Sequence, residues 1–491
     1  MRVRNLAIAA AVVTAAATGL TLQLAPTASA VEAKPNDFNG DGVGDDVVAT
    51  PNAVVGGKDK AGQVTVSYGS ATGVRPSNSL TLSQASPQVP GAAEAGDRFG
   101  ADFATGDLDG DGYADLAVSA PGEVLDGTAN TGSVTVLWGG PNGLSYGGTS
   151  TTSPIDTSAP AGEHDLEFGA QVAIADMDGD GSAQLVSLAS GRLYWYGDGF
   201  SRTTPSKAIE VTYGPYMEPW FSSFSDLTVG DYTKSGSASI IVTGNQECGE
   251  EGEDSCAWLG YAAGGPGGVE FTKDLGGETY STDSSIVASG DINKDGYADL
   301  VTGGKNVNSG AGRIQVRYGS ANGPGAPVSF DQNTAGVPGA NEAGDAFGAS
   351  VSVGDVTGDG YADVAVGVPD ETVDGIAKTG EIVLLKGSSR GLTGTGAQAF
   401  HQSTAGVPGA AEKNDHFGSD VRTGDVNGDG KADVTVAAAG EDVVAGSTGD
   451  GADWVLRGSS SGLTTSGATS FSAPDFGLTY VNRAFGSVLN D

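Results

Sequence analysis

A nine-residue acidic segment recurs seven times along this 491-residue chain. Its fullest copy reads Asp107, Leu108, Asp109, Gly110, Asp111, Gly112, Tyr113, Ala114, Asp115. The other copies begin at Asp37, Asp176, Asp231, Asp291, Asp355 and Asp425, so successive starts lie 70, 69, 55, 60, 64 and 70 residues apart. Side-chain oxygens at positions 1, 3, 5 and 9, around a glycine at 6, form a hard-oxygen donor set on a tight turn, which is the chemistry Ca²⁺ requires. Carboxylates drawn together this closely repel one another unless a cation sits among them. The turn is not an EF-hand: position 12 counted from Asp107 is Val118, inside an apolar run, so the closing carboxylate is Asp115 at position 9.

Between loops the chain reads as short strands. In the second repeat Phe99-Gly100 opens a segment ending at Gly106, and the acidic loop follows. Leu116-Ala117-Val118-Ser119 then reads as a buried strand, stopped by Ala120-Pro121-Gly122. Gly132 to Trp138 alternates as a third strand, Gly139 to Gly143 turns, and a weaker fourth strand begins near Tyr146. Strands of this length with Gly/Pro turns, and no 3.6-residue period, predict an all-β unit of four strands. The turn after the third strand recurs at Tyr68-Gly69-Ser70, Tyr318-Gly319-Ser320, Lys386-Gly387-Ser388 and Arg457-Gly458-Ser459. The connector to the next unit recurs at Val89-Pro90-Gly91, Val337-Pro338-Gly339 and Val407-Pro408-Gly409. Radial repetition of such units predicts a β-propeller.

The two ends predict closure. The first loop, at Asp37, has no Phe-Gly strand before it, and the missing piece stands at the other end as Arg483-Ala484-Phe485-Gly486-Ser487-Val488-Leu489. The C-terminal strand is expected to complete the first blade, giving a seven-bladed ring without an open edge.

Phe-Gly, the acidic loop and the following Ala-Pro (Ala120-Pro121, with Val368-Pro369 as a variant) resemble FG-GAP repeats. Such repeats build the propeller of integrin α chains and occur in secreted bacterial proteins. The resemblance implies a calcium-binding propeller and offers position 7 as a backbone-carbonyl ligand. It departs from integrins in lacking an inserted adhesion domain, leg region, membrane helix and cytoplasmic tail.

The loops are not equal as ligand sets. Asp37, Asn39, Asp41 and Asp45 keep all four side chains. So do Asp107, Asp109, Asp111 and Asp115, then Asp291, Asn293, Asp295 and Asp299, and Asp425, Asn427, Asp429 and Asp433. Asp355, Thr357, Asp359 and Asp363 trade one carboxylate for a hydroxyl. By the family pattern Tyr113, Tyr297, Tyr361 and Lys431 add position-7 carbonyls. The third loop has Asp176, Asp178 and Asp180 but Gln184 at the closing position, and the fourth (Asp231, Thr233, Ser235, Ser239) keeps one carboxylate. Five calcium ions are expected, with a weak sixth left open at the third loop.

Arg2, Arg4, the apolar run Leu6 to Leu24 and Ala28-Ser29-Ala30 read as a signal peptide over residues 1–30, leaving residues 31–491 as one secreted propeller domain. No later run is long and apolar enough to span a bilayer. Removing residues 1–30 takes away two arginines and no acid, so 22 bases face 61 acids. A polyanion of this kind will not bind nucleic acid by charge attraction. Cys248 and Cys256 bracket a short acidic loop and are expected to form a local disulfide in an oxidising compartment.

Catalysis finds little support. Gly458-Ser459-Ser460-Ser461-Gly462 matches G-x-S-x-G formally, but the same position in other repeats is a hairpin turn, not a strand-to-helix elbow. The three histidines show no metal-ligand spacing. The expected role is an extracellular binding or adhesion module for a protein or cell-wall glycan, acting as a monomer. A secreted hydrolase (glycosidase, esterase or phospholipase type) is the alternative. The aromatic connector Tyr213, Tyr216, Trp220 and Phe221, between the third and fourth repeats, is the candidate ligand surface, since aromatic side chains on loops are enriched at binding sites.

Overall fold

The computed structural model describes residues 34, 36–87, 89–125, 131–144, 155–157, 167–189, 191–197, 208–210, 221–248, 254–275, 286–478 and 483–489. The chain forms seven antiparallel sheets arranged as a β-propeller. Blade 2 is typical: Phe103–Gly106, Asp115–Ala120, Ser133–Leu137 and Ile155–Thr157 pair in sequence order from the axis outward. Two short 3₁₀ turns are the only helical elements among the described residues.

The second strand of each blade packs on both faces against neighbouring blades, which is why it reads as an almost unbroken apolar run rather than an alternating one. In Asp115–Ala120, Gln184–Ala189, Asp363–Val368 and Asp433–Ala438 all six residues are buried. In five Phe-Gly pairs the phenylalanine (Phe99, Phe168, Phe347, Phe417 and Phe485) is fully buried at a blade junction. The junction is close. Gly132 bridges Phe168 of the next blade with φ +78°, and a Cβ there would overlap the Phe168 backbone. That site demands glycine on both counts.

Closure occurs as the sequence predicts, in shorter form. Blade 1 has three strands, Asp46–Thr50, Gln63–Ser67 and Ser79–Leu82. The C-terminal segment completes it through a single antiparallel bridge between Ala49 and Val488, not a full ladder. The Ala49 amide donates to the Val488 carbonyl at 2.9 Å, and the Gly486 amide to Thr50 Oγ1 at 3.2 Å.

Three aspartates near the axis tie one blade to the next. Asp102 accepts the Val172 amide at 2.6 Å, Asp226 the Val287 amide at 2.9 Å and Asp420 the Leu489 amide at 2.9 Å. The last bond seats the chain end. On the acidic-loop side the axis opens into a cavity of about 580 Å³, walled by Phe103, Val172, Leu227 and Val353 with Arg422 at its side.

Candidate metal centres

Each acidic loop is anchored by its second residue. Phe38, Leu108, Met177, Tyr232, Ile292, Val356 and Val426 are all buried, so an apolar side chain pins the loop to the core while its neighbours turn outward.

The carboxylate at position 1 then organises the turn. In the five loops with full or nearly full ligand sets it accepts the backbone amides of positions 5 and 6 at 2.7–3.1 Å. The position-5 carboxylate accepts the amide of position 7 in the same five loops. These bonds use Asp-type side chains turning on their own backbone, and they hold the loop side chains in place.

The closing carboxylate does a second job. Asp45 accepts the Phe38 amide at 3.0 Å and the Gly69 amide at 2.8 Å, joining the acidic loop to the turn after the third strand. Asp115 takes Leu108 and Gly139, Asp299 takes Ile292 and Gly319, and Asp363 takes Thr357 and Gly387 in the same way. Burial pushes Asp45 and Asp299 up to about 7, and Asp363 and Asp433 up to about 6. Neighbouring loop carboxylates add to the rise at Asp45, Asp299 and Asp363, and the amide bonds oppose it. Asp115 is raised well above its ordinary value for the same reason.

The donor sets of the second and third loops converge closely enough to fit a hard cation. Carboxylate oxygens of Asp107, Asp109 and Asp115 lie within 4.8 Å of one another, as do those of Asp176, Asp178 and Asp180. In the third loop Gln184 keeps the structural half of the closing role, with Oε1 accepting the Met177 amide at 2.6 Å. Its Nε2 donates to the Ser182 carbonyl at 2.8 Å and to Asp178 Oδ1 at 3.3 Å, so an amide N–H meets two oxygens that the ligand pattern assigns to the cation. In the fourth loop Asp231 still holds the Ser235 and Gly236 amides, but Ser239 has only a hydroxyl, bonded to Tyr261. In the seventh, Asn427 Nδ2 donates to both oxygens of Asp433, at 2.9 and 2.7 Å, and Lys431 Nζ lies 3.6 Å from Asp429.

Other residues singled out by sequence separate from this centre. Tyr213, Tyr216, Trp220 and the signal segment lie outside the described residues. Phe221 opens the blade-4 inner strand Phe221–Gly230. Strand register sets Cys248 opposite Asp254 and Gln246 opposite Cys256, so the cysteines stand two residues out of register on one hairpin. The Gly458–Gly462 stretch is a hairpin turn, with Ser459 and Ser461 hydroxyls 3.1 Å apart. His416 Nδ1 lies 2.8 Å from Asp370, which also holds Lys378. The axial aspartates Asp102, Asp226 and Asp420 escaped sequence reading, although Asp102 and Asp420 each stand three residues after a junction phenylalanine.

Residues 99–137, 285–316, 347–385 and 417–456, falling in blades 2, 5, 6 and 7, match the family model described as FG-GAP repeat. Four segments of this chain are FG-GAP repeats. It is 35% identical over 151 residues to phosphatidylinositol-glycan-specific phospholipase D of Rattus norvegicus, a stretch covering 30% of this chain and 17% of that protein. It is 32% identical over 134 residues to integrin alpha-3 of Mus musculus, covering 26% of this chain and 11% of the integrin. The chain therefore matches less than a fifth of the length of either relative. A solved lectin from Agrocybe aegerita that recognises non-reducing terminal N-acetylglucosamine overlays at TM-score 0.39 and 16% identity, over 74% of this chain and 81% of the lectin.

Proposed function

We propose that this FG-GAP propeller is a secreted, calcium-stabilised binding or adhesion module that presents its connector face to an extracellular protein or cell-wall glycan. The observation carrying this reading is the shared frame of the five ligand-bearing loops. All five use the same carboxylate-to-amide bonds to gather hard oxygens on one face, and four of them carry the closing carboxylate on two backbone amides. When bound there, Ca²⁺ would supply countercharge to carboxylates whose pKa burial raises. Asp37, Asn39, Asp41 and Asp45, with the equivalent residues of loops 2, 5, 6 and 7, would hold it, leaving the opposite face available to a partner. The similarity to integrin alpha-3 over part of the chain favours adhesion.

The test is a glycan and protein array probed in calcium and again in chelator. Binding in calcium that is lost in chelator supports the module, and Trp220→Ala should abolish it without changing the melt. A second reading, a secreted hydrolase, draws on the resemblance to the rat phospholipase D; turnover in a panel of esters, glycosides and phosphodiesters would favour it. Peptide mapping under non-reducing conditions tests the proposed Cys248–Cys256 link.

A further inference from the structure

The acidic loops touch one another, and they do so by one repeated bond. The amide at position 8 of a loop donates to the backbone carbonyl of position 1 in the preceding loop. Ala114 donates to Asp37 at 3.0 Å, Ala298 to Asp231 at 3.0 Å, Ala362 to Asp291 at 3.1 Å and Ala432 to Asp355 at 2.9 Å. Ala238 donates to Asp176 at 2.6 Å, and Gly44 to Asp425 at 3.0 Å across the junction of the chain ends. The second-to-third junction shows no such bond among the described residues.

The place of this bond matters. Position 8 lies between the position-7 carbonyl and the position-9 carboxylate, two of the expected ligands. Its acceptor belongs to the residue whose carboxylate organises the previous turn. One aspartate therefore serves two loops: its side chain shapes its own loop, and its carbonyl fixes the closing half of the next. A lysine at position 4 doubles the link at two junctions. Lys294 Nζ donates to the Asp359 carbonyl at 3.1 Å and lies 5.4 Å from the centre of the Tyr361 ring; Lys234 does the same to Asp295 and Tyr297, at 3.0 and 5.7 Å.

The five loops with good ligand sets are also contiguous. Around the ring they run fifth, sixth, seventh, first, second, and all four junctions inside that arc carry the amide-to-carbonyl bond. The arc is bounded by the fourth loop, with one carboxylate, and by the third, where Gln184 closes the turn.

We infer that cation binding is coupled from loop to loop along this arc, so that filling one site raises the affinity of the next and draws the two chain ends together. The inference rests on the calcium reading of the loops. A site that orders its position-1 aspartate also orders the closing peptide of its neighbour, which then has less conformational freedom to lose on binding. By linkage the effect runs equally in both directions.

Native mass spectrometry of the mature chain during Ca²⁺ titration tests it. At half saturation, chains with two or three ions should be scarcer than independent binding gives. Asp429→Asn, at the centre of the arc, should weaken the remaining four sites about fivefold or more. Asp111→Asn, at the arc's end, should chiefly subtract its own ion. Both side chains are exposed and asparagine can still accept the position-7 amide, so both variants should fold. Populations following independent statistics, or equal effects of the two substitutions, overturn coupling while leaving calcium binding intact. A chain that takes up no calcium overturns coupling together with the reading beneath it.

Discussion

The carboxylate of Asp453 lies against Gly486, so closely that a Cβ on that glycine would overlap it. This contact sits where the C-terminal segment meets blade 7. Asp453 is 1% exposed, and among the described residues neither of its oxygens has a hydrogen-bond partner. At the same register the other six blades place Val64, Val134, Leu193, Leu259, Ile314 and Ile382, all buried. Blade 7 alone puts a carboxylate there, opposite Ala437.

Burial, then the charges of Asp46 and Asp420, hold the Asp453 carboxyl well above its ordinary value. Arg422 is turned to Asp46, at 3.6 Å. Because the folded state keeps this proton more tightly than the unfolded chain, the favourable contribution is complete below about pH 3.9, the unfolded value, and is lost as pH rises through the folded pKa. Asp453→Val should therefore raise the melting temperature, with the gap over the unsubstituted protein widening from pH 4 to pH 8. Melting curves across that range check it. The expected gain at neutral pH is about 1–3 kcal/mol, the scale of an unsatisfied buried polar group.

The closing carboxylates should separate from the other ligands in a calcium-free melt. Asp299 accepts the amides of Ile292 and Gly319, so Asp299→Ala leaves two buried donors without partners, each worth about 1–3 kcal/mol. Asp295→Ala removes a carboxylate whose local bond is to the exposed Tyr297 amide. The first substitution should lower the melting temperature with or without calcium, and the second chiefly in calcium.

Gln184 gives a gain-of-site prediction. Its Nε2 meets the Asp178 and Ser182 oxygens, and a carboxylate in its place would present a ligand to the same cluster. Gln184→Asp should let the third loop bind more tightly, seen as one further calcium ion by native mass spectrometry at a concentration where the unsubstituted loop is not filled.

Much of this architecture was legible in sequence because it depends on repetition. Seven copies of one loop set the blade count, and Phe485-Gly486 at the wrong end of the chain indicated the closure between Ala49 and Val488. The ranking of the loops rested on side chains visible in the sequence, and Gln184 and Ser239 stand at closing positions as expected. What stayed hidden depends on register and on backbone. Asp453 reads as one polar residue in a strand until pairing with Ala437 aligns it with six aliphatic side chains. Asp45 reads as a ligand, and nothing in its neighbourhood tells that the Gly69 amide, 24 residues on, reaches its other oxygen. The bonds between loops run from amide to carbonyl, groups that every residue but proline carries, so no side-chain pattern could reveal them.

The most direct measurement is the thermal unfolding of the protein in millimolar calcium and in excess chelator. Sites with a dissociation constant near 10⁻⁴ M contribute about 1.4 kcal/mol each at 1 mM calcium, so five of them should raise the melting temperature by many degrees. Chelator should remove this increment, and restored calcium should return it. Coincident melts in calcium and chelator would contradict calcium binding at these loops.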